Sequence, residues 1–284
     1  MKALSDMPIG FPGLFGGIEI DPDPIALHIG HGIYWYGIIL ALGLLAGLLL
    51  CMKQAKRFGL TEDNVMDVGL WATPLCIIGS RIYYVVFYLD LYRNADGSLD
   101  WGRVIAIWDG GIAMYGTVIV GILVAFVYCK IKKLKFLAMT DLCVMGLLIG
   151  QCIGRWGNFV NGEAHGGPTT LPWGMTIDGQ SMVHPTFLYE SLWNLAGFVL
   201  LHFYSKKRRF KGEIALLYAA WYGAGRAWIE GLRTDSLYIG SVRVSQLLAV
   251  VSCIAAVAVL ARQYHRIKVA KAFYVPETDE NKGE

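Results

Sequence analysis

Apolar residues run along this chain in long blocks, separated by short polar or basic stretches. A helix that crosses a bilayer needs about 20 mostly apolar residues. Seven blocks meet that length, some with polar interruptions: 34–52, 64–89, 110–129, 138–157, 185–204, 213–231 and 244–261. The first 33 residues are Pro- and Gly-rich, and no apolar leader precedes the first block, so no cleavable signal peptide is expected. The pattern predicts an all-α polytopic membrane protein with seven transmembrane helices. It forms one integral membrane domain over 1–284, with an N-terminal segment at 1–33, a long loop at 158–184 and a tail at 262–284. The other long link is 90–109, and no repeat or low-complexity tract interrupts the series.

Composition sharpens the class. The apolar set AVILMFWYC makes up 55% of the 284 residues and charged residues 17%, against about 25% charged in a soluble domain. That excludes a disordered chain, a coiled coil and an ordinary cytosolic enzyme. Gly (34) and the 36 aromatic residues are abundant, as in polytopic membrane proteins. A net charge of +3 gives no global basic field, so no nucleic-acid partner is expected. The six cysteines form no CxxC pair and lie in or beside apolar runs, so they read as packing residues rather than a disulfide framework or a metal site.

The basic residues set orientation. Sixteen lie in one set of loops: Lys53–Arg57, Lys130–Lys135, Lys206–Lys211 and Arg262–Lys271. Six lie in the other: Lys2, Arg93, Arg103, Arg155, Arg233 and Arg243. The positive-inside rule places the first set in the cytoplasm. The N-terminus and both long links are then outside, and the C-terminus is cytoplasmic.

Ionisable groups at membrane depth need a partner, a water cavity or a function. At about 1.5 Å per helical residue, Tyr36, Arg81, Tyr115, Arg155, His184, Glu190, Arg226 and Glu230 all fall in the outer half. Some have bland explanations: Arg226 and Glu230 are spaced i, i+4 and neutralise each other, and Glu190 is a candidate partner for Arg81. Three arginines at one leaflet depth nevertheless suit an anionic head group, because a guanidinium holds phosphate in a two-pronged fork. Two spacings support a polar cavity. Arg155 and Asn158 share a helix face if that helix continues, and Asn161–Glu163 then break into a loop. Tyr222, Arg226 and Glu230 form an i, i+4, i+8 face that is out of place against lipid. Gly43/Gly47 and Gly146/Gly150/Gly154 are small-residue series suited to close helix packing.

These residues carry a resemblance. The segment GRWGNFVNGEAHG (154–166) resembles the hallmark segment of bacterial phosphatidylglycerol–prolipoprotein diacylglyceryl transferases. YWYG (34–37), GSRIYYVVFY (79–88), WDGGIAMYG (108–116), HPTFLYE (184–190) and YGAGRAWIEGLR (222–233) resemble further segments of that family in the same order, from about 24 to 262. The resemblance implies an enzyme of the bacterial plasma membrane whose site faces the outer leaflet. It implies transfer of the diacylglyceryl group of phosphatidylglycerol to the lipobox cysteine of a prolipoprotein signal peptide, giving a thioether and glycerol 1-phosphate, with no cofactor. Carried over by motif, Arg155 binds the lipid phosphate and Arg226 is a second essential arginine. Tyr36, Asn158, Glu163, Gly166, Tyr222 and Glu230 complete the site, with Arg81 beside them. Many members have His where this chain has Tyr115.

The chemistry has two requirements. The nucleophile must be a thiolate, and charge on the departing phosphate must be stabilised. Paired arginines meet the second without a metal, and a positive site also favours the thiolate. Glu163, Glu230, His184 and Tyr115 are candidate proton acceptors, and the residues do not choose among them. The chief rival is a transporter or channel with an outer-leaflet anion site. That reading calls for ionisable groups on both sides of the midplane and usually for repeats, neither of which is seen.

Overall fold

The computed structural model describes residues 8–14, 17–29, 32–94, 96–234, 238–240 and 242–272. Lys2, the rest of the first seven residues and the tail beyond 272 lie outside them. Each of the seven expected blocks is a helix: α1 (Trp35–Gln54), α2 (Glu62–Phe87), α4 (Met114–Ile131), α5 (Phe136–Val160), α6 (Thr186–Tyr204), α7 (Glu213–Leu232) and α8 (Val244–Ala272). A five-residue helix, α3 (Trp101–Ile105), lies within the 90–109 link. Among the described residues, α1, α2, α4, α5 and α8 are long and apolar enough to cross a membrane. The helices α6 and α7 are long enough, but Glu190, Asn194, Glu213, Arg226 and Glu230 lower their apolar character.

Local chemistry sets the boundaries. A capping box starts α2: the Thr61 hydroxyl accepts from the Asn64 backbone N–H, and the Asn64 side chain accepts from the Thr61 N–H. The start of α4 is at Met114 rather than 110, because Gly110 and Gly111 take φ of +85° and +70° and break the helix. The last turn of α5 continues to Val160, so Asn158 stays helical and shares a face with Arg155. The apolar block ends at 261, yet α8 runs on to Ala272 through Arg262 and Arg266.

Two compact units divide the chain. One comprises the described residues of 44–147, in which α2 packs on α4. Gly116 lets the backbones approach: a methyl there would lie 2.7 Å from the Ser80 Cα. In the same unit Gly47 faces Gly146. The other unit comprises the described residues up to 43 and from 148 onward. Its helices α6, α7 and α8 pack in sequence. Over the ends of α5 and α6 lies a small antiparallel sheet, ordered β2 (Glu19–Ile20), β1 (Ile9–Gly10), β5 (Thr176–Ile177). It joins the N-terminal segment to the 158–184 link, which the sequence pattern leaves as separate loops. Ile9, Met175 and Phe187 form its buried core, with Phe11, Phe159 and Val183 against them. Two hairpins, β3 (Ile25–Leu27) with β4 (Ile33–Tyr34) and β6 (Tyr238–Ile239) with β7 (Val242–Arg243), lead into α1 and α8.

The glycine series gives a direct test. A methyl on Gly47 would lie 2.7 Å from the Gly146 carbonyl oxygen, whereas one on Gly150 would meet nothing nearer than 3.6 Å. Gly47→Ala is expected to destabilise by about 1–3 kcal/mol, and Gly150→Ala to be neutral or slightly stabilising. Thermal unfolding of the two variants in one detergent compares them. Equal midpoints would remove the close-approach role of Gly47.

Candidate active site

One continuous chain of polar contacts runs through the unit that holds the ends of α5, α6 and α7. It begins in the loop after α5. The Glu163 Oε1 accepts from Asn158 Nδ2 at 3.0 Å and from Asn161 Nδ2 at 3.4 Å. The Asn158 side-chain oxygen Oδ1 then accepts from Arg155 Nη1 at 3.2 Å. From Arg155 Nη2 the chain passes to Glu190 Oε1 at 2.5 Å, and from Glu190 Oε2 to Arg226 Nη1 at 3.1 Å. It ends where Arg226 Nη2 meets Glu230 Oε2 at 2.7 Å. Three helices and one loop therefore supply six side chains, each touching the next.

Burial along this chain is uneven. The Glu190 and Glu230 side chains are 4% and 2% exposed, Arg155 and Arg226 16% and 17%. The carboxylates are thus more buried than the arginines they hold. Each η nitrogen carries two N–H groups and each arginine adds an Nε–H, so both keep donors beyond those spent on carboxylates. Glu163 is exposed. Tyr36 belongs to the same unit, and its ring fills the space where a side chain on Gly157 would go. The Tyr222 hydroxyl, one turn from Arg226, lies in electrostatic reach of Arg155 and Glu190. One turn further along the helices, Gln151 donates to the Tyr218 hydroxyl at 3.0 Å.

Gly166 lies in this unit in a backbone slot. Its N–H donates to the His184 carbonyl, and Gly167 N–H to that of Leu232. A methyl on Gly166 would lie 2.7 Å from the His184 Cβ and 3.1 Å from the Leu232 oxygen. The loop thus clips the start of α6 to the end of α7. Just before it, Ala164 takes φ of +57°, and the Thr186 hydroxyl donates to the Ala164 carbonyl at 2.5 Å.

Side chains also lock α6 to both neighbours. The Ser191 hydroxyl donates to the Cys152 carbonyl on α5 at 2.9 Å. Trp193 and Trp221 exchange bonds: each indole N–H donates to the other's carbonyl at 2.9 Å, with the rings stacked at 4.4 Å. Each ring lies over a glycine of the opposite helix, Trp193 over Gly225 and Trp221 over Gly197.

Arg81 and Tyr115 belong to the other unit. Arg81 is buried, and all five of its N–H donors go to backbone carbonyls. Nε donates to Val104 at 2.9 Å, Nη1 to Gly110 and Gly111 at 2.6 and 2.8 Å, and Nη2 to Arg103 and Ala106 at 2.6 and 3.1 Å. The candidate pairing of Glu190 with Arg81 is thereby set aside: Arg81 clasps the loop at 103–111, and Glu190 bridges Arg155 and Arg226. Tyr115 is half-exposed, its ring 6.2 Å from that of Tyr83. Sequence reasoning missed the shared role of Glu190. The available signal was its depth within HPTFLYE, three residues before the tryptophan that fixes α6 on α7.

This arrangement presents two partly exposed, pre-oriented guanidiniums beside an exposed carboxylate, a site suited to a phosphate ester and a nucleophile with a proton to lose. The sequence matches the family described as prolipoprotein diacylglyceryl transferase over residues 24–262. It is similar to three proteins named phosphatidylglycerol–prolipoprotein diacylglyceryl transferase. That of Finegoldia magna is 47% identical over 237 residues, 83% of this chain and 93% of that protein. That of Clostridioides difficile is 44% identical over 225 residues, 79% and 88% of the two chains. That of Oceanobacillus iheyensis is 45% identical over 251 residues, 83% and 86%. A match of that extent, spanning every segment of the polar chain, means that this protein belongs to the prolipoprotein diacylglyceryl transferase family.

Proposed function

We propose that this protein transfers the diacylglyceryl group of phosphatidylglycerol to the lipobox cysteine of prolipoproteins. The cysteine sulfur attacks the glyceryl carbon that bears the phosphate ester. The carbon–oxygen bond breaks, glycerol 1-phosphate leaves with the electron pair, and a thioether remains. The observation that carries this reading is the pair Arg155 and Arg226, each held by a buried carboxylate while its own side chain stays partly exposed. Donors fixed before the reaction stabilise charge that grows on the departing phosphate. In this reading Asn158, Tyr36 and Tyr222 line the phosphate and glyceryl region, Glu230 steadies Arg226, and Gly166 keeps the loop in its slot. Arg81, with its donors committed to backbone, acts by holding the 103–111 loop.

The charges along the polar chain support a carboxylate as proton acceptor: three carboxylates (Glu163, Glu190 and Glu230) face two arginines there. A carboxylate then takes the thiol proton, and Glu163 is the exposed one of the three. The protein sits in the bacterial plasma membrane with seven spans, N-terminus outside and site toward the outer leaflet, as the loop charges argue. Purified protein incubated with phosphatidylglycerol and a lipobox peptide is expected to yield a diacylglyceryl adduct on cysteine by mass spectrometry. No adduct from well-folded protein would overturn the reading.

Three further outcomes follow. A reporter fused after Lys211 should register cytoplasmic, and one inserted in the 158–184 link external; the reverse would move the site to the inner leaflet. Arg155→Lys and Arg226→Lys keep the charge but lose the fork, and each is expected to lose ~10²-fold or more in rate while folded. If Arg226 were only structural, Arg226→Ala would be rescued by adding Glu230→Ala. Transfer returning together with stability in that double variant would sink the phosphate role. With a carboxylate as proton acceptor, Tyr115→Phe should keep a substantial fraction of wild-type transfer; near-complete loss in folded protein would make the phenol the base.

A further inference from the structure

Glu190 has a place in the structure that the arginine assignments leave unexplained. Its two carboxylate oxygens are divided between two helices, Oε1 to Arg155 of α5 and Oε2 to Arg226 of α7. Two guanidiniums repel each other, and side chains of that length have many rotamers. A single buried carboxylate removes both problems, because it offsets the repulsion and ties one η nitrogen of each arginine to one of its two oxygens.

The surroundings show that this bridge is built in rather than incidental. The residue after Glu190 is tied to α5: Ser191 donates to the Cys152 carbonyl, three residues before Arg155. The residue three after Glu190 is tied to α7: Trp193 and Trp221 exchange bonds, five residues before Arg226. Glu190 thus lies beside the two fastenings that join its helix to the helices of its two partners. It is 4% exposed while the arginines are 16% and 17% exposed, so it is the more buried partner of both pairs.

We infer that Glu190 is a positioning residue for the transfer reaction, a shared strut that sets the spacing and orientation of Arg155 and Arg226 without touching the lipid. This rests on the phosphate role proposed for the two arginines. It predicts a separation of kinetic constants that a purely structural residue does not give. In Glu190→Gln the amide oxygen serves one arginine, and the amide NH2 faces the other, so the pair loses its common spacing. The site also gains one net positive charge. Ground-state attraction for an anionic lipid is then kept or increased, while alignment in the transition state is lost. A misplacement of about 1 Å costs on the order of 10²-fold in rate.

The experiment measures kcat and KM for phosphatidylglycerol with a fixed lipobox peptide, using full-length wild-type protein, Glu190→Gln and Glu190→Asp. Each is checked for folding by thermal unfolding and gel filtration. The expected result is a kcat for Glu190→Gln lowered ~10²-fold with KM equal to or below wild type. Glu190→Asp, which keeps the charge but is too short to span both arginines, should lose less kcat with KM unchanged. A folded Glu190→Gln with kcat within about threefold of wild type, whatever its melting temperature, overturns the inference and leaves Glu190 as helix glue. A raised KM at unchanged kcat also overturns it, because Glu190 would then act in ground-state lipid binding. If Glu190→Gln does not fold, the same constants for Glu190→Asp decide; if neither folds, the strut serves the fold first and the inference fails. Absence of transfer by the wild-type protein would instead be a failure of the proposed function.

Discussion

Charge in an apolar medium has to be compensated locally, and the larger unit of this protein is organised around that requirement. An isolated guanidinium or carboxylate buried among apolar helices is strongly unfavourable, whereas a fully paired one is tolerable. Glu190 answers for two arginines at once, and Glu230 closes the far end. Removing any member leaves a neighbour uncompensated. The cluster therefore requires α5, α6 and α7 in one register, and most of the nearby packing enforces that register.

Two kinds of contact do so. The Trp193–Trp221 exchange fixes the antiparallel helices α6 and α7 along their axes, since each indole needs the other's carbonyl and the glycine opposite. A slip of one residue would break both bonds and drive a side chain into a ring. The loop at 164–167 fixes the same pair at their outer ends through backbone bonds to His184 and Leu232. Gly166 is required there for space: a side chain would meet backbone on one side and the His184 Cβ on the other. In the smaller unit Arg81 plays a comparable part, capping the final carbonyls of α3 and gathering Gly110 and Gly111. Cations are favoured at helix C-termini for the same electrostatic reason.

How much of this could be read from the sequence differs by feature. The seven helical blocks were legible because apolar runs of that length have few alternatives. So were the pairs Arg155–Asn158 and Arg226–Glu230, because i, i+3 and i, i+4 spacings survive folding; depth alone also grouped Arg81 and Tyr115, which belong to the other unit. Partner choice was not. Glu190 and Arg81 were plausible mates by depth alone, but depth says nothing about azimuth, and backbone carbonyls as mates for Arg81 leave no trace in side-chain pattern. The small sheet was also hidden, since two-residue strands carry no periodicity and β1 and β5 are far apart in sequence. The extension of α8 past 261 was hidden for the opposite reason: hydropathy marks where a membrane could end, not where a helix must.

The division between buried and exposed charge also bears on how a thiol and a lipid could react at one place. Phosphodiester anions and thiolates are both strongly hydrated in water, and an alkyl transfer between them gains from a site that has exchanged that water for fixed dipoles. The chain from Glu163 to Glu230 offers such a gradient. Its loop end is exposed, with an acceptor steadied by two amides; its helical end is buried, with donors steadied by two carboxylates. On the proposed chemistry, the group that must lose a proton meets the exposed end, where the proton can leave for solvent. The group on which negative charge builds meets the buried end, where fixed donors act at low local dielectric and are strongest. One line of six side chains thereby separates the two tasks along its length, and the strut at Glu190 marks where one gives way to the other.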